Sequence, residues 1–160
     1  MSAQDLIIIM DKLLKIHTSL YEIAIKKTDV IKLNDMNSLN QILKEEQSHI
    51  AAIRDLERER QRTVQLLCPI KNNPTISDCI EYVVGTDKDE LINISNCLME
   101  VVNKLKEAND LNHQLLQHSL HFINVSLNLL RPQSQSLNYS PSKVKTNAQV
   151  HSEGLFNTKA

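Results

Sequence analysis

The sharpest sequence pattern for catalysis is that of a metal site. Glu46 and His49 have the Glu-x-x-His spacing with which di-iron helical bundles hold their metals, and Asp110 and His113 repeat it loosely. A di-iron site needs two such pairs and further carboxylates, all facing the interior of a bundle. Asp110 and His113 fall away from the apolar stripe of their helix, and a fourth long helix is missing. We therefore expect no metal and no cofactor, and a di-metal oxidase or ferritin-like protein is kept as an alternative.

Nucleophilic catalysis has even less support in the sequence. The three cysteines are odd in number and have no C-x-x-C spacing, which is typical of free thiols in a reducing compartment: Cys68, Cys79 and Cys97. Three histidines cluster late in the chain without a completing ligand: His113, His118 and His121. A Cys–His nucleophile would also need oxyanion donors, which a glycine-rich loop often supplies. We predict that the protein is not an enzyme.

Composition excludes further classes of function. The 160 residues include two glycines, whereas an average chain of this length would contain about eleven. Phosphate-binding loops and tight hairpins need glycine, so neither is expected. Eighteen Lys and Arg against nineteen Asp and Glu leave a net charge of −1, which does not favour nucleic-acid binding. No segment has the roughly 20 apolar residues of a bilayer span, so we expect no membrane insertion and a cytoplasmic location.

The apolar periodicity predicts long helices that would position any site. Residues 4–33 form a helix with heptad positions a and d almost entirely apolar, Lys27 being the exception. Ser38 and Gln41 have capping-box spacing and would begin a second helix that ends near Leu67. A short connection makes these two helices an antiparallel hairpin. Folding it about residue 35 places Glu46 near Lys27, and we predict a Lys27–Glu46 polar layer that fixes the register.

Two further helices follow the hairpin. Thr75 and Asp78 would cap a short helix over 75–83, and Asp87 with Glu90 would begin the longest helix, 87–131, which Pro132 ends. Residues 132–160 are polar with sparse apolar residues, so we expect a flexible tail. The predicted fold is all-α: the hairpin, a short helix and a third long helix form an elongated three-helix bundle domain over 1–131.

The longest helix suggests a binding surface. The hairpin can cover about 30 of its roughly 45 residues, given equal rise per residue. Large exposed apolar stripes usually mark partner sites. We predict that five late residues bind a partner: Leu115, Phe122, Ile123, Leu129 and Leu130. The alternatives are that the short helix covers them, that a second copy does so in a homodimer, or that the chain is a passive coiled-coil tether.

The sequence also resembles the FlgN family of flagellar type III export chaperones, in the form found in Gram-positive bacteria. The matching features run through most of the chain: Glu46-Gln47 with Ile50, Ile53 and Glu57-x-x-Arg60; Asn73-Pro74-Thr75-Ile76-Ser77; Asn109-x-x-Asn112-x-x-Leu115; Leu120-His121-Phe122-Ile123; Asn138-Tyr139-Ser140; and Leu155-Phe156-Asn157-Thr158-Lys159-Ala160. Their order and spacing together carry the resemblance.

The resemblance implies a function and its partners. A protein similar to this family would bind hook–filament junction proteins in the cytosol, prevent their early assembly and deliver them to the flagellar export gate. It would hold the client on the late part of the last helix and the tail. The resemblance further implies that Tyr139 docks on the cytosolic domain of the gate. Pro141, two residues later, disfavours a helical docking segment there.

Overall fold

Four helices make up the part of the chain that the structure describes. The computed structural model describes residues 2–69 and 71–131. Its helices are α1 (Ala3–Lys32), α2 (Met36–Leu67), α3 (Ile76–Tyr82) and α4 (Thr86–Leu130). This order, with three long helices and one short one, confirms the predicted all-α bundle. The predicted tail, 132–160, lies outside the described residues.

The residue that caps the start of α2 differs from the predicted one. Asn34 adopts a left-handed backbone conformation, with φ at 55°, and ends α1 abruptly. Asp35 then caps α2 by accepting hydrogen bonds from the backbone N–H groups of Asn37 and Ser38, both at 3.1 Å. The predicted cap at Ser38 is therefore wrong, because a carboxylate three residues earlier already holds the first N–H groups. The hydroxyl of Ser38 donates to Asp35 instead.

Polar contacts show that α1 and α2 are antiparallel. Lys27 near the end of α1 pairs with Glu46 early in α2, and only 12% of each side chain is exposed. Ser19 lies earlier in α1, and its hydroxyl is 2.9 Å from the Nε2 of His49, later in α2. The predicted contact between Lys27 and Glu46 is thus present.

The core shows that α4 runs parallel to α1, on another side of it from α2. Leu6 and Met10, early in α1, share a buried cluster with Leu91 and Ile94, early in α4. Further along, another buried cluster joins the two helices: Leu20, Ala24, Leu105 and Ala108. α1 is therefore the central helix, and it packs along both of the other long ones.

A buried polar contact fixes the far end of the α1–α4 interface. Asn112 is 2% exposed. Its side-chain N–H donates to the carbonyl of Ala24 at 2.9 Å, and its side-chain oxygen accepts from the Thr28 hydroxyl at 2.7 Å. Because an amide in an apolar interface is costly unless it is hydrogen-bonded, these bonds favour one offset of α4 along α1.

α3 closes the other end of the bundle. Thr75 and Asp78 form the predicted capping box, and Cys79 packs into the core. α4 begins at Thr86, directly after Gly85, whose φ of 75° suits glycine, and no side chain caps the helix. The predicted start at Asp87 is therefore one residue late, and Asp87 and Glu90 do not form the cap, because the glycine conformation itself sets the start.

Candidate partner-binding site

The last third of α4 extends beyond the rest of the bundle. Thr28 of α1 contacts Asn112 of α4, and α1 ends four residues after Thr28, at Lys32. Since the two helices are parallel and have the same rise, α1 ends near the level of Leu116. The fourteen residues from there to Leu130 extend about 21 Å further, at 1.5 Å per residue.

The five residues predicted to bind a partner lie on or beside this extension. Leu115 is half-buried, at the level where α1 ends. Phe122 is 72% exposed, Leu129 81% and Leu130 78%, and Ile123 is also exposed. Within the described ranges, neither α3 nor another helix covers these side chains. Tyr139 lies outside the described residues.

Several apolar residues that were not predicted to bind a partner share this surface. They are all exposed: Leu116, Leu120, Val125 and Leu127. The segment from Leu111 to Leu130 contains no Lys, Arg, Asp or Glu. A helix that is apolar on several faces is normally buried, so this segment is suited to contact another polypeptide. The absence of charge over twenty residues was the signal in the sequence that could have found them.

Neither pair with metal-ligand spacing, on which the alternative of a metal site rested, is arranged for a metal. Glu46 pairs with Lys27, and the Nδ1 of His49 lies 2.9 Å from the carbonyl oxygen of Glu45. Asp110 and His113 are exposed on α4. Among the described side chains, no three histidines, cysteines or carboxylates come together in a way that could hold a metal ion. Within the described ranges, Glu46 and His49 therefore have no second pair of ligands beside them with which to hold a metal.

Two large pKa shifts, those of Asp78 and Cys79, lie at α3 rather than at the apolar extension. A hydrogen bond from Lys71, helped by the Thr75 backbone and hydroxyl, lowers the pKa of Asp78 to about 2. Burial, helped by Cys68, whose Sγ lies 3.4 Å away, raises the pKa of the Cys79 thiol to about 12. These groups fasten a short helix to the core. A neutral buried thiol is a poor nucleophile.

A groove of about 1120 Å³ lies at the α3 end, between α2 and α4. Arg62 and Leu66 of α2 line one wall, Leu98 and Met99 of α4 the other, and Pro74 lies at its end. Sequence patterns did not predict it, because it depends on how far apart α2 and α4 run beside the central helix. Met99 is separated from Leu116 by seventeen residues of α4, so the groove is distinct from the apolar extension.

No described helix combines the length and the apolar character that crossing a membrane requires.

Comparisons with known proteins define the class to which this arrangement belongs. The family model described as FlgN protein matches residues 1–147, so the chain belongs to the FlgN family. FlgN proteins are chaperones of flagellar export and not a family of enzymes. The chain is also similar to a protein of Bacillus subtilis (strain 168) described as "Uncharacterized protein YvyG", with 33% identity over 160 residues and the whole of both chains covered. No solved structure matches.

Proposed function

We propose that this protein is a cytosolic chaperone that binds hook–filament junction proteins through the distal part of α4. Binding would prevent the early assembly of these subunits until the protein delivers them to the flagellar export gate. The client-binding residues are Leu115, Phe122, Ile123, Leu129 and Leu130. The protein would act by binding alone, without catalysis and without a cofactor.

One observation carries this proposal: the uncharged end of α4 extends about 21 Å past α1 with its apolar side chains exposed. Membership of a family of flagellar export chaperones supplies the kind of partner. A subunit that assembles through apolar helices needs those helices covered before export. An exposed apolar helix end can cover them reversibly, because it releases the client without breaking the chaperone's own core.

Charge introduced on the extension tests the client site. Phe122→Asp combined with Leu129→Asp is expected to abolish co-purification with a co-expressed junction protein, because two carboxylates would then be buried without partners. The matched control is Asn124→Asp with Asn128→Asp, which adds the same charge to the same helix at polar positions. Unchanged client binding by the first variant would move the client site elsewhere.

Docking on the gate is a separate part of the proposal. It assigns Tyr139 to the cytosolic domain of the gate protein, as the family resemblance implies. Tyr139→Ala should keep client binding and reduce binding to the isolated gate domain, and Tyr139→Phe should retain most of the ring's contacts. Unchanged secretion of the junction proteins by Tyr139→Ala would remove this role.

The alternative of a passive coiled-coil tether makes a different prediction for assembly. A tether would form constitutive oligomers and bind no client. We expect sedimentation of the purified protein to change when the junction protein is added. Oligomers of unchanged mass with and without it would favour the tether, including a homodimer that covers the extension of α4.

A further inference from the structure

The extension of α4 has a first apolar seam with coiled-coil spacing. Five leucine or isoleucine residues follow one another at intervals of four, three, four and three residues: Leu116, Leu120, Ile123, Leu127 and Leu130. This is the spacing at which a helix receives the side chains of one partner helix between its own. All five are exposed in the structure, so the first seam has no partner among residues 2–69 and 71–131.

A second seam with the same spacing runs along a different side of the helix. Its members follow at intervals of four, three, four, three and four residues: Leu111, Leu115, His118, Phe122, Val125 and Leu129. At 3.6 residues per turn, the centres of the two seams lie about 140° apart around the helix axis. One partner helix cannot contact both seams along their whole length, because the coiled-coil contact occupies a single narrow face.

The two seams flank the face of α4 that packs on α1 nearer the start of the helix. Asn112 belongs to that interface, and Ser119 and Ser126 follow it at intervals of seven residues. Past the end of α1 this face therefore carries small polar side chains, and the apolar residues lie on both sides of it. Beyond the end of α1, the apolar surface of α4 is therefore divided into two seams, one on each side of this polar face.

We infer that α4 binds two helices of a single client chain, one on each seam, so that client and chaperone together complete a bundle around the end of α4. This inference rests on the proposed function and adds the form of the client. The client helices must be apolar along their contact faces, since the segment from Leu111 to Leu130 has no Lys, Arg, Asp or Glu with which to pair a charge. Two helices of one chain are favoured over two chains, because the second helix binds at a high effective concentration once the first is held.

Three consecutive residues provide a matched test of the two seams. Ile123 lies in the first seam, Val125 in the second, and Asn124 between them on the polar side of the helix. Ile123→Asp and Val125→Asp should each weaken binding of the co-expressed junction protein at least about tenfold, the scale of a central interface residue, whereas Asn124→Asp should change it less than about twofold. All three positions are exposed, so circular dichroism should show unchanged folding of the free protein.

Replacing His118 or His121 by leucine tests the second seam by adding apolar surface, whereas the aspartate substitutions add charge. His118 interrupts the second seam, whereas His121 lies on the polar side. His118→Leu should tighten client binding about fivefold or more through the added apolar contact. The same substitution at His121 should leave the affinity unchanged. Equal effects of the two substitutions would contradict the second seam.

The outcomes separate this inference from the proposed function. Light scattering of the wild-type complex should give one client per chaperone, and amide hydrogen exchange should show two protected helical segments in that client. If Ile123→Asp weakens binding and Val125→Asp does not, a single helix binds and the inference fails while the proposed function stands. A complex with two client chains, or one protected segment, also overturns it. If neither substitution matters, the proposed client site itself is wrong.

Discussion

Replacing Asn112 by alanine tests whether a buried polar contact sets the position of α4 along α1. The amide of Asn112 is nearly inaccessible and forms two hydrogen bonds, to the Ala24 carbonyl at 2.9 Å and from the Thr28 hydroxyl at 2.7 Å. This offset determines how much of α4 extends beyond α1. A slip of one heptad would change the length of the extension by about 10 Å, at 1.5 Å per residue.

The expected loss follows from the partners that remain. After Asn112→Ala, the single hydrogen of the Thr28 hydroxyl can be donated to the Ala24 carbonyl, 3.2 Å away, so no buried donor is left unpaired. Two hydrogen bonds are lost and this one is gained, a net loss of about 1 kcal/mol, and the cavity left by the amide adds up to about 1 kcal/mol. Alanine's higher helix propensity returns a few tenths of a kcal/mol. We expect the free energy of unfolding to fall by about 1–2 kcal/mol.

Urea unfolding followed by circular dichroism measures this loss. Asn109→Ala is the matched control, because Asn109 is exposed on the same helix and its replacement changes only the helix propensity. A double-mutant cycle with Thr28→Val should give a coupling of about 1 kcal/mol between Thr28 and Asn112. The reasoning is refuted if Asn112→Ala and Asn109→Ala unfold at the same urea concentration, or if the coupling energy is zero.

Three further perturbations test other contacts of the fold. Glu46→Leu leaves the charge of Lys27 buried without a partner and should lower the free energy of unfolding by about 3 kcal/mol. The double replacement Lys27→Leu with Glu46→Leu removes both charges and should be nearly neutral. Equal urea midpoints for the single and double variants would argue against a buried pair. Folding lowers the pKa of Asp78 from its ordinary value of 3.8 to about 2, so its contribution is full above pH 4 and is lost as the pH falls to 2. The melting temperature of Asp78→Asn should therefore decline less over that pH range than that of the wild type; parallel declines would contradict this. Burial raises the pKa of Cys79 to about 12. Iodoacetamide at about pH 8 should therefore label the partly buried Cys97 and leave Cys79 unlabelled until urea is added. Labelling of Cys79 before urea is added, seen by peptide mass, would show that α3 opens readily.

Most of the helices could be predicted from the sequence because a helix is a local structure. Its hydrogen bonds join residues four apart, and its buried face repeats every three to four residues. The heptads of α1 and the capping box of Thr75 and Asp78 contain this information within a few turns. The missed details are also local, but they depend on competition: Asp35 and Ser38 could both cap α2, and the backbone conformation of Asn34 decided between them.

The candidate site was only partly predictable. The sequence indicated an apolar stripe too long for the hairpin, and Phe122, Ile123, Leu129 and Leu130 are indeed exposed. Leu116, Leu120, Val125 and Leu127 were missed, because an apolar residue at any helical position can serve an intramolecular core as well as a partner. Their role depends on where α1 ends beside α4, which no spacing within α4 encodes.

The sequence by itself determined three long helices, a short one and the absence of glycine from the helices, because these follow from propensity, periodicity and capping over short stretches of chain. Only the tertiary structure decided that α1 is central, that α4 runs parallel to it, and that Asn112 lies beside Thr28. These features depend on burying residues that are 84 positions apart, and many offsets of two apolar stripes bury similar areas. Satisfying the Asn112 amide selects one of them, and that choice leaves the end of α4 uncovered by the other described helices.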